Sequence, residues 1–332
     1  MLTAADLIHL PYTPDLSEGG IAYACRWLTC SYERISGSAI DHLRRMVGEV
    51  AVELAFRRHL SEQSIPFNVL GVTPFTHPDR YEIRLGGHRC NIKSFLITRR
   101  SQITRIRRDP GSLLQAPALV PVDEFAAGRH QSEDLYLFAF LLGLITTAHE
   151  DMQKAVFASQ PVFLTHLLPA TWARPESWMP IQNLSLKSEC DRPVTVEIGG
   201  QNGERNLLSI TLELLPRQRV LVEKGFHSLT YIHAHSQPEA RIGIHSPRHG
   251  EPYLIPTRAW DNLWVYGMDI WLTGWLTHEG YRRKAKVMKR ELSTFHDQDT
   301  GRKKLLVPAR ELNPLGRLLE KVRRWEAEKV PA

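Results

Sequence analysis

Asp79, Asn91 and Lys93 are the residues whose types and spacing could do chemistry. Pro78-Asp79 opens one β-prone run, and Asn91-Ile92-Lys93 lies in the next, twelve residues after Asp79. Residues two apart on a strand point to the same face. Asn91 and Lys93 therefore share a side, and a hairpin returns that side to Asp79. Upstream, Glu49 and Glu53 are four apart on a predicted helix and lie on one flank of it. Such a set suits phosphodiester hydrolysis. A divalent metal would polarise the phosphoryl oxygen and lower the pKa of an attacking water. Magnesium takes a few oxygen ligands and keeps several waters. One aspartate, one further oxygen and a helix glutamate would supply those ligands, and a lysine beside them would orient the water and stabilise developing charge. The structural alternatives are a Pro-Asp turn, a strand-end lysine with its head in solvent, and a glutamate paired with a neighbouring arginine.

The elements that must position these residues follow from periodicity. Short helices are predicted at Thr3–Leu10 and Glu18–Glu33. Ala39–Leu60 reads as a longer helix, with Ile40, Leu43, Val47, Val50 and Leu54 at 3-and-4 spacing. Arg80–Leu85 and His88–Ile97 flank Gly86-Gly87, the pattern of a hairpin. Asp134–Leu142 (DLYLFAFLL) is continuously apolar after its first residue, as in a strand buried on both faces. From Leu184 to Ile255, short β-prone runs alternate with Gly, Pro, Asn and Ser, which predicts an antiparallel sandwich or small barrel. A helix is predicted at His278–Leu292, a strand at Lys304–Val307 and a last helix at Asn313–Lys329.

The stretches VGEVAVELAF, HPD (His77–Asp79) and CNIKS (Cys90–Ser94) together resemble the PD-(D/E)xK nuclease superfamily, a helix bearing Glu followed by a hairpin with the acid on one strand and the lysine on the next. DLYLFAFLL is similar to that family's third core strand, and Trp264–Ala285 to its late strand-turn-helix. The resemblance covers residues 39–170 and 255–310. It implies an α/β fold with a restriction-endonuclease-like mixed sheet flanked by helices, into which an antiparallel β-sandwich-like domain is inserted. It further implies a metal-dependent DNA endonuclease of restriction, defence or transposition type, using Mg2+ with Mn2+ able to substitute. Asp79 and Asn91 would ligate the metal, Glu49 would hold a second metal or a bound water, and Lys93 would orient the attacking water. Asn91 departs from the pattern, because an acid usually stands there and a neutral amide attracts a cation less. A non-cleaving DNA-binding or scaffold subunit on the same fold is therefore the alternative. DNA, a second copy of the chain and protein partners of a defence or transposition system are the partners implied.

This reading divides the chain into an N-terminal helical extension (1–38), a first part of the core (39–175), the strand-rich insertion (181–255), a closing strand and helix (256–310) and a basic C-terminal helix (311–332). Charge agrees with a polyanionic partner. Net charge is +6, and residues 281–332 hold 15 Lys/Arg against 7 Asp/Glu. A second basic cluster, Arg99, Arg100, Arg105, Arg107 and Arg108, follows Lys93 and would grip DNA phosphates without reading sequence.

At 332 residues, with 42% hydrophobic and 23% charged residues, the composition is that of a globular protein and excludes a mainly disordered or fibrous one. Four cysteines without CxxC spacing indicate neither a zinc ribbon nor a disulfide framework. With no signal-like start and no run of ~20 apolar residues, the expected location is cytoplasmic. No P-loop or GxSxG motif occurs. His233 and His235 share a strand face without an acidic or cysteine companion and read as a structural pair. Trp172 and Trp178, beside Pro and Arg, are candidates for exposed stacking.

Overall fold

The computed structural model describes residues 2–31, 39–69, 83–126, 130–145, 149–159, 162–263, 266–288 and 303–329. The chain begins with β1 (Ile8–Pro11), α1 (Pro14–Ser31), α2 (Ala39–Glu62), β2 (Phe67–Val69), β3 (Ile83–Leu85), β4 (His88–Ile97), α3 (Arg100–Arg108), β5 (Pro117–Pro121), α4 (Val122–Ala126) and β6 (Leu135–Leu144). It continues through α5 (His149–Phe157), β7 (Leu164–Leu167), α6 (Ala170–Ala173), β8 (Ser185–Ser188), β9 (Val194–Gln201), β10 (Leu207–Leu214), β11 (Arg219–Leu221), β12 (Ser228–Ala234), β13 (Ile242–His245), β14 (Tyr253–Ile255) and β15 (Asp261–Asn262). It closes with β16 (Tyr266–Thr277), α7 (His278–Lys284), β17 (Lys286–Val287), β18 (Lys304–Pro308), β19 (Asn313–Pro314) and α8 (Leu315–Lys329). Two compact units result: residues 1–20, 48–144 and 267–332 in one, and 21–47 and 145–266 in the other.

The first unit is mixed α/β. Its main sheet runs β1-β16-β6-β4-β3-β2, with β19 also on β16. β4 and β6 are parallel, whereas β1/β16, β2/β3 and β3/β4 are antiparallel. β6 is buried from Leu135 to Gly143, which explains its lack of alternation. The β3–β4 hairpin turns on Gly86 (φ 57°) and Gly87 (φ 89°), two successive left-handed residues that a side chain would strain. A Cβ at Gly86 would also stand 2.3 Å from the ring of Trp325 on α8. α3 buries Ile103 and Ile106 against Ile97, Leu113, Phe140 and Leu142 and turns its arginines outward. A smaller antiparallel sheet, β17-β18-β5, shares a core with Tyr136, Phe138, Leu276 and Tyr281. The Tyr281 hydroxyl lies 3.0 Å from the carbonyl of Ala118 on β5 and 2.9 Å from that of Leu305 on β18, so one side chain fastens both strands.

The second unit contains a five-stranded sheet, β10-β9-β12-β7-β15, and a four-stranded sheet, β11-β8-β13-β14, whose neighbouring strands all pair antiparallel. Leu186, Val196, Ile198, Leu229, Ile232, Ile242 and Ile244 from the two sheets form one core. β12, flanked by strands on both sides, is buried throughout. Arg44 of α2 is buried here and donates to the Asn262 carbonyl at 2.9 Å. His166 has both ring nitrogens engaged: Nδ1 is 2.7 Å from the Ala259 carbonyl and Nε2 is 2.9 Å from the Tyr253 hydroxyl.

Several boundaries differ from those the sequence predicts. Ile8–Pro11 is a strand on β16, not part of a helix, because its partner lies about 260 residues away and local periodicity cannot register it. The N-terminal stretch thus carries a strand, β1, ahead of helix α1. α5, β7 and α6 group with the sandwich rather than with the core, and β15 adds to its five-stranded sheet, so this unit exceeds the predicted 181–255. α7 is followed by β17 at Lys286, where the sequence predicts more helix. Trp172 is buried and stacks on His249 at 3.7 Å, so it is not an exposed platform. Trp178 is partly buried and spanned by Arg205. Among the described residues, no helix is long and apolar enough to cross a membrane.

Two outcomes follow from these contacts. Gly86→Ala combines left-handed strain of about 1–2 kcal/mol with the Trp325 clash; the denaturant midpoint should fall, and an unchanged midpoint would refute the packing described. Burial, the largest cause, holds the imidazoles of His166 and His233 below their ordinary value of 6.5. The unfolded chain then binds more protons as pH falls. Stability is fully present above about pH 6.5 and declines as pH drops through the window down to the depressed folded values. Urea titrations at pH 7.5 and 5.5 should show that loss, and His166→Gln should reduce it.

Candidate functional site

β4 presents Asn91 and Lys93 on one side of the main sheet. The parallel register pairs Asn91 with Tyr136 and Lys93 with Phe138 on β6, so these four side chains belong to the same face. Asn91 is 6% exposed. Lys93 keeps 13% of its side chain exposed, and its Nζ donates to Glu124 Oε1 at 2.5 Å. Glu124 comes from α4, a helix of five residues that begins directly after Pro121 and opens with Asp123 and Glu124. The ammonium is thus withdrawn from solvent only alongside a carboxylate, as burial of a charge requires.

Next to this pair is a group of rings. Phe125 stacks on His278 with centroids 4.3 Å apart and an interplanar angle of 9°. His278 also stacks with His130 at 4.9 Å. Tyr136 lies 5.9 Å from His130, 5.8 Å from His278 and 5.5 Å from Tyr281. The backbone locks the group in place. The N–H of His278 donates to the Asp134 carbonyl at 2.7 Å and that of Glu279 to the Ser132 carbonyl at 3.1 Å. Asp134 turns its carboxylate back to the Gln131 N–H at 2.8 Å and stands 3.6 Å from His130 Nδ1. Thr277 caps α7 by accepting from the Gly280 N–H at 3.0 Å.

Electrostatics differ across the cluster. Burial, and then the carboxylates of Glu124 and Asp134, push the Tyr136 phenol far above its ordinary value, so it stays protonated. Burial, and then His130, lower the His278 imidazole, which favours its neutral form. His130 Nε2, Tyr136 Oη and His278 Nδ1 are all buried and make no hydrogen bond with any described residue.

Of the residues singled out in the sequence, the structure brings Asn91 and Lys93 together. Pro78 and Asp79 lie outside the described residues. Glu49 is exposed on α2, while Glu53, one turn on, is half-buried and ion-paired with Arg57. Arg99 precedes α3 and Arg100, Arg105, Arg107 and Arg108 stand along it, all exposed. The guanidinium of Arg107 binds Asp269 Oδ2 on β16 through Nε (2.9 Å) and Nη2 (2.7 Å). Asp269 Oδ1 is also 3.0 Å from His9 Nε2 on β1. His233 bonds the Leu164 carbonyl through Nδ1 at 2.8 Å, in keeping with a structural role.

Glu124, His130, Asp134, Tyr136 and His278 join the site without having been marked in the sequence. One signal was available: a tyrosine in a run buried on both faces carries a hydroxyl that needs a partner. Among the described residues, no group of three or more His, Cys, Asp or Glu is arranged to hold a metal ion. No protein-family model, curated protein or solved structure matches the chain.

Proposed function

We propose that this protein is a metal-dependent DNA endonuclease that hydrolyses phosphodiester bonds, of restriction, defence or transposition type, and that its mixed α/β unit is a variant of the restriction-endonuclease-like fold. The observation that carries the reading is the grouping on β4. A lysine and an amide share one face, a carboxylate from α4 is drawn to the lysine, and the strand leads almost directly into the outward-facing arginines of α3. Asn91 and Glu124 offer hard oxygen donors of the kind magnesium or manganese takes while keeping several waters. Asp79 is the acid the sequence adds, and Glu49 the candidate for an outer contact. The ion, when bound, would polarise the phosphoryl oxygen and acidify a water. Lys93, set beside Glu124, would orient that water and stabilise the charge that develops on the phosphorus oxygens. Arg99, Arg100, Arg105 and Arg108 would hold the flanking phosphates, which gives affinity that falls with salt.

A non-cleaving nucleic-acid-binding or scaffold subunit is the second reading. Asn91 is neutral where an acid is usual, and the ammonium of Lys93 is already engaged by Glu124. Supercoiled plasmid with magnesium or manganese separates the two. The endonuclease nicks or linearises it, Lys93→Ala loses about 100-fold or more of that activity, and DNA binding changes little. A Lys93→Ala protein that cuts at the wild-type rate overturns the assignment. Salt-dependent binding with no cutting by the wild type favours the scaffold. A gain in rate for Asn91→Asp would mark the natural site as attenuated.

A further inference from the structure

The ring cluster beside Lys93 contains a donor that no described residue uses. Tyr136 is 2% exposed, and its hydroxyl makes no hydrogen bond with any described residue. Leaving a buried hydroxyl unpaired costs stability, and the large majority of buried side-chain polar atoms have a partner. A phenylalanine would fill the same space among Phe125, Phe138 and Tyr281 without that cost. The placement of the hydroxyl is specific. Its strand partner is Asn91, on the face that also bears Lys93. Burial first, and then the carboxylates of Glu124 and Asp134, favour its protonated form. Two imidazole nitrogens, His130 Nε2 and His278 Nδ1, are buried in the same cluster and equally without a bond to a described residue. Neither ring satisfies the phenol, and all three unpartnered polar atoms belong to one ring cluster.

We propose that Tyr136 is a catalytic hydrogen-bond donor, whose hydroxyl binds a non-bridging oxygen of the phosphodiester held at Lys93, Asn91 and Glu124. This rests on the endonuclease reading and deepens it. The phenol contributes no net charge and transfers no proton; it supplies a fixed donor in a water-poor place, where such donors act most strongly on developing charge. Lys93 offsets the carboxylate of Glu124, which would otherwise repel the phosphate.

The test is Tyr136→Phe, assayed on plasmid with magnesium beside the wild type and Lys93→Ala, with thermal melts of all three. The proposal expects kcat to fall by about 10²–10³-fold, KM to change little, and the melting temperature to hold or rise. A second arm replaces the non-bridging oxygens with sulfur, a weaker acceptor. The wild type should slow on that substrate, and Tyr136→Phe should lose most of the additional slowing. If the wild type and Lys93→Ala behave as an active and a dead nuclease while Tyr136→Phe cleaves at the wild-type rate, the tyrosine is a packing residue and the proposal falls alone. If the wild type fails to cleave with either metal, the endonuclease reading falls and takes this inference with it.

Discussion

The parallel register of β4 against β6 is the constraint on which the site depends. It sets Asn91 opposite Tyr136 and Lys93 opposite Phe138, and continues for eight residue pairs from Cys90–Leu135 to Ile97–Leu142. Strand side chains alternate with period two, so a slip of one residue would send the amide and the lysine to the opposite face. Such a slip is opposed from both sides. The Gly86-Gly87 turn fixes the start of β4 against β3, and the buried aromatic side chains of β6 pack in one core with Tyr281.

Around this pairing, polar groups are handled unequally. Lys93 is neutralised at once by Glu124, and Asp269 gathers both His9 and Arg107. Tyr136, His130 and His278 are left with buried polar atoms that no described side chain or backbone group answers. Folding alone does not favour that state, since apolar residues of similar size would be more stable there. Places where a protein retains such a cost are where function is most reasonably sought.

Much of this was legible in the sequence. The Gly-Gly hairpin, the run at Asp134–Leu142, the strand at Lys304 and the last helix announce themselves through turn chemistry and periodicity, which are local. The lysine and amide on one face follow from the same rule. Glu124 does not, because it sits on a one-turn helix with no periodic signature and meets Lys93 from 31 residues away. His278 and His130 are brought together by a backbone clamp between segments far apart in the chain. The role of β1 is invisible for the same reason: four residues carry no pattern, and only their pairing with β16 defines them. The endonuclease resemblance supplied Asp79 and Glu49; the first lies outside the described residues and the second is exposed on α2.

The pairing of Ile8 with Leu272 has a consequence for how the molecule is made. During synthesis the first strand emerges long before its partner, and it must remain unpaired while more than two hundred residues are added. The sandwich strands, joined mostly to near neighbours in the chain, can collapse in the meantime. Completion of the main sheet is therefore a late event, limited by closing a very long loop, and an exposed strand edge persists until then. Transposing the β1 segment to follow β16 would shorten that interval, and the change in refolding rate would measure how much of the barrier this one long-range pairing sets.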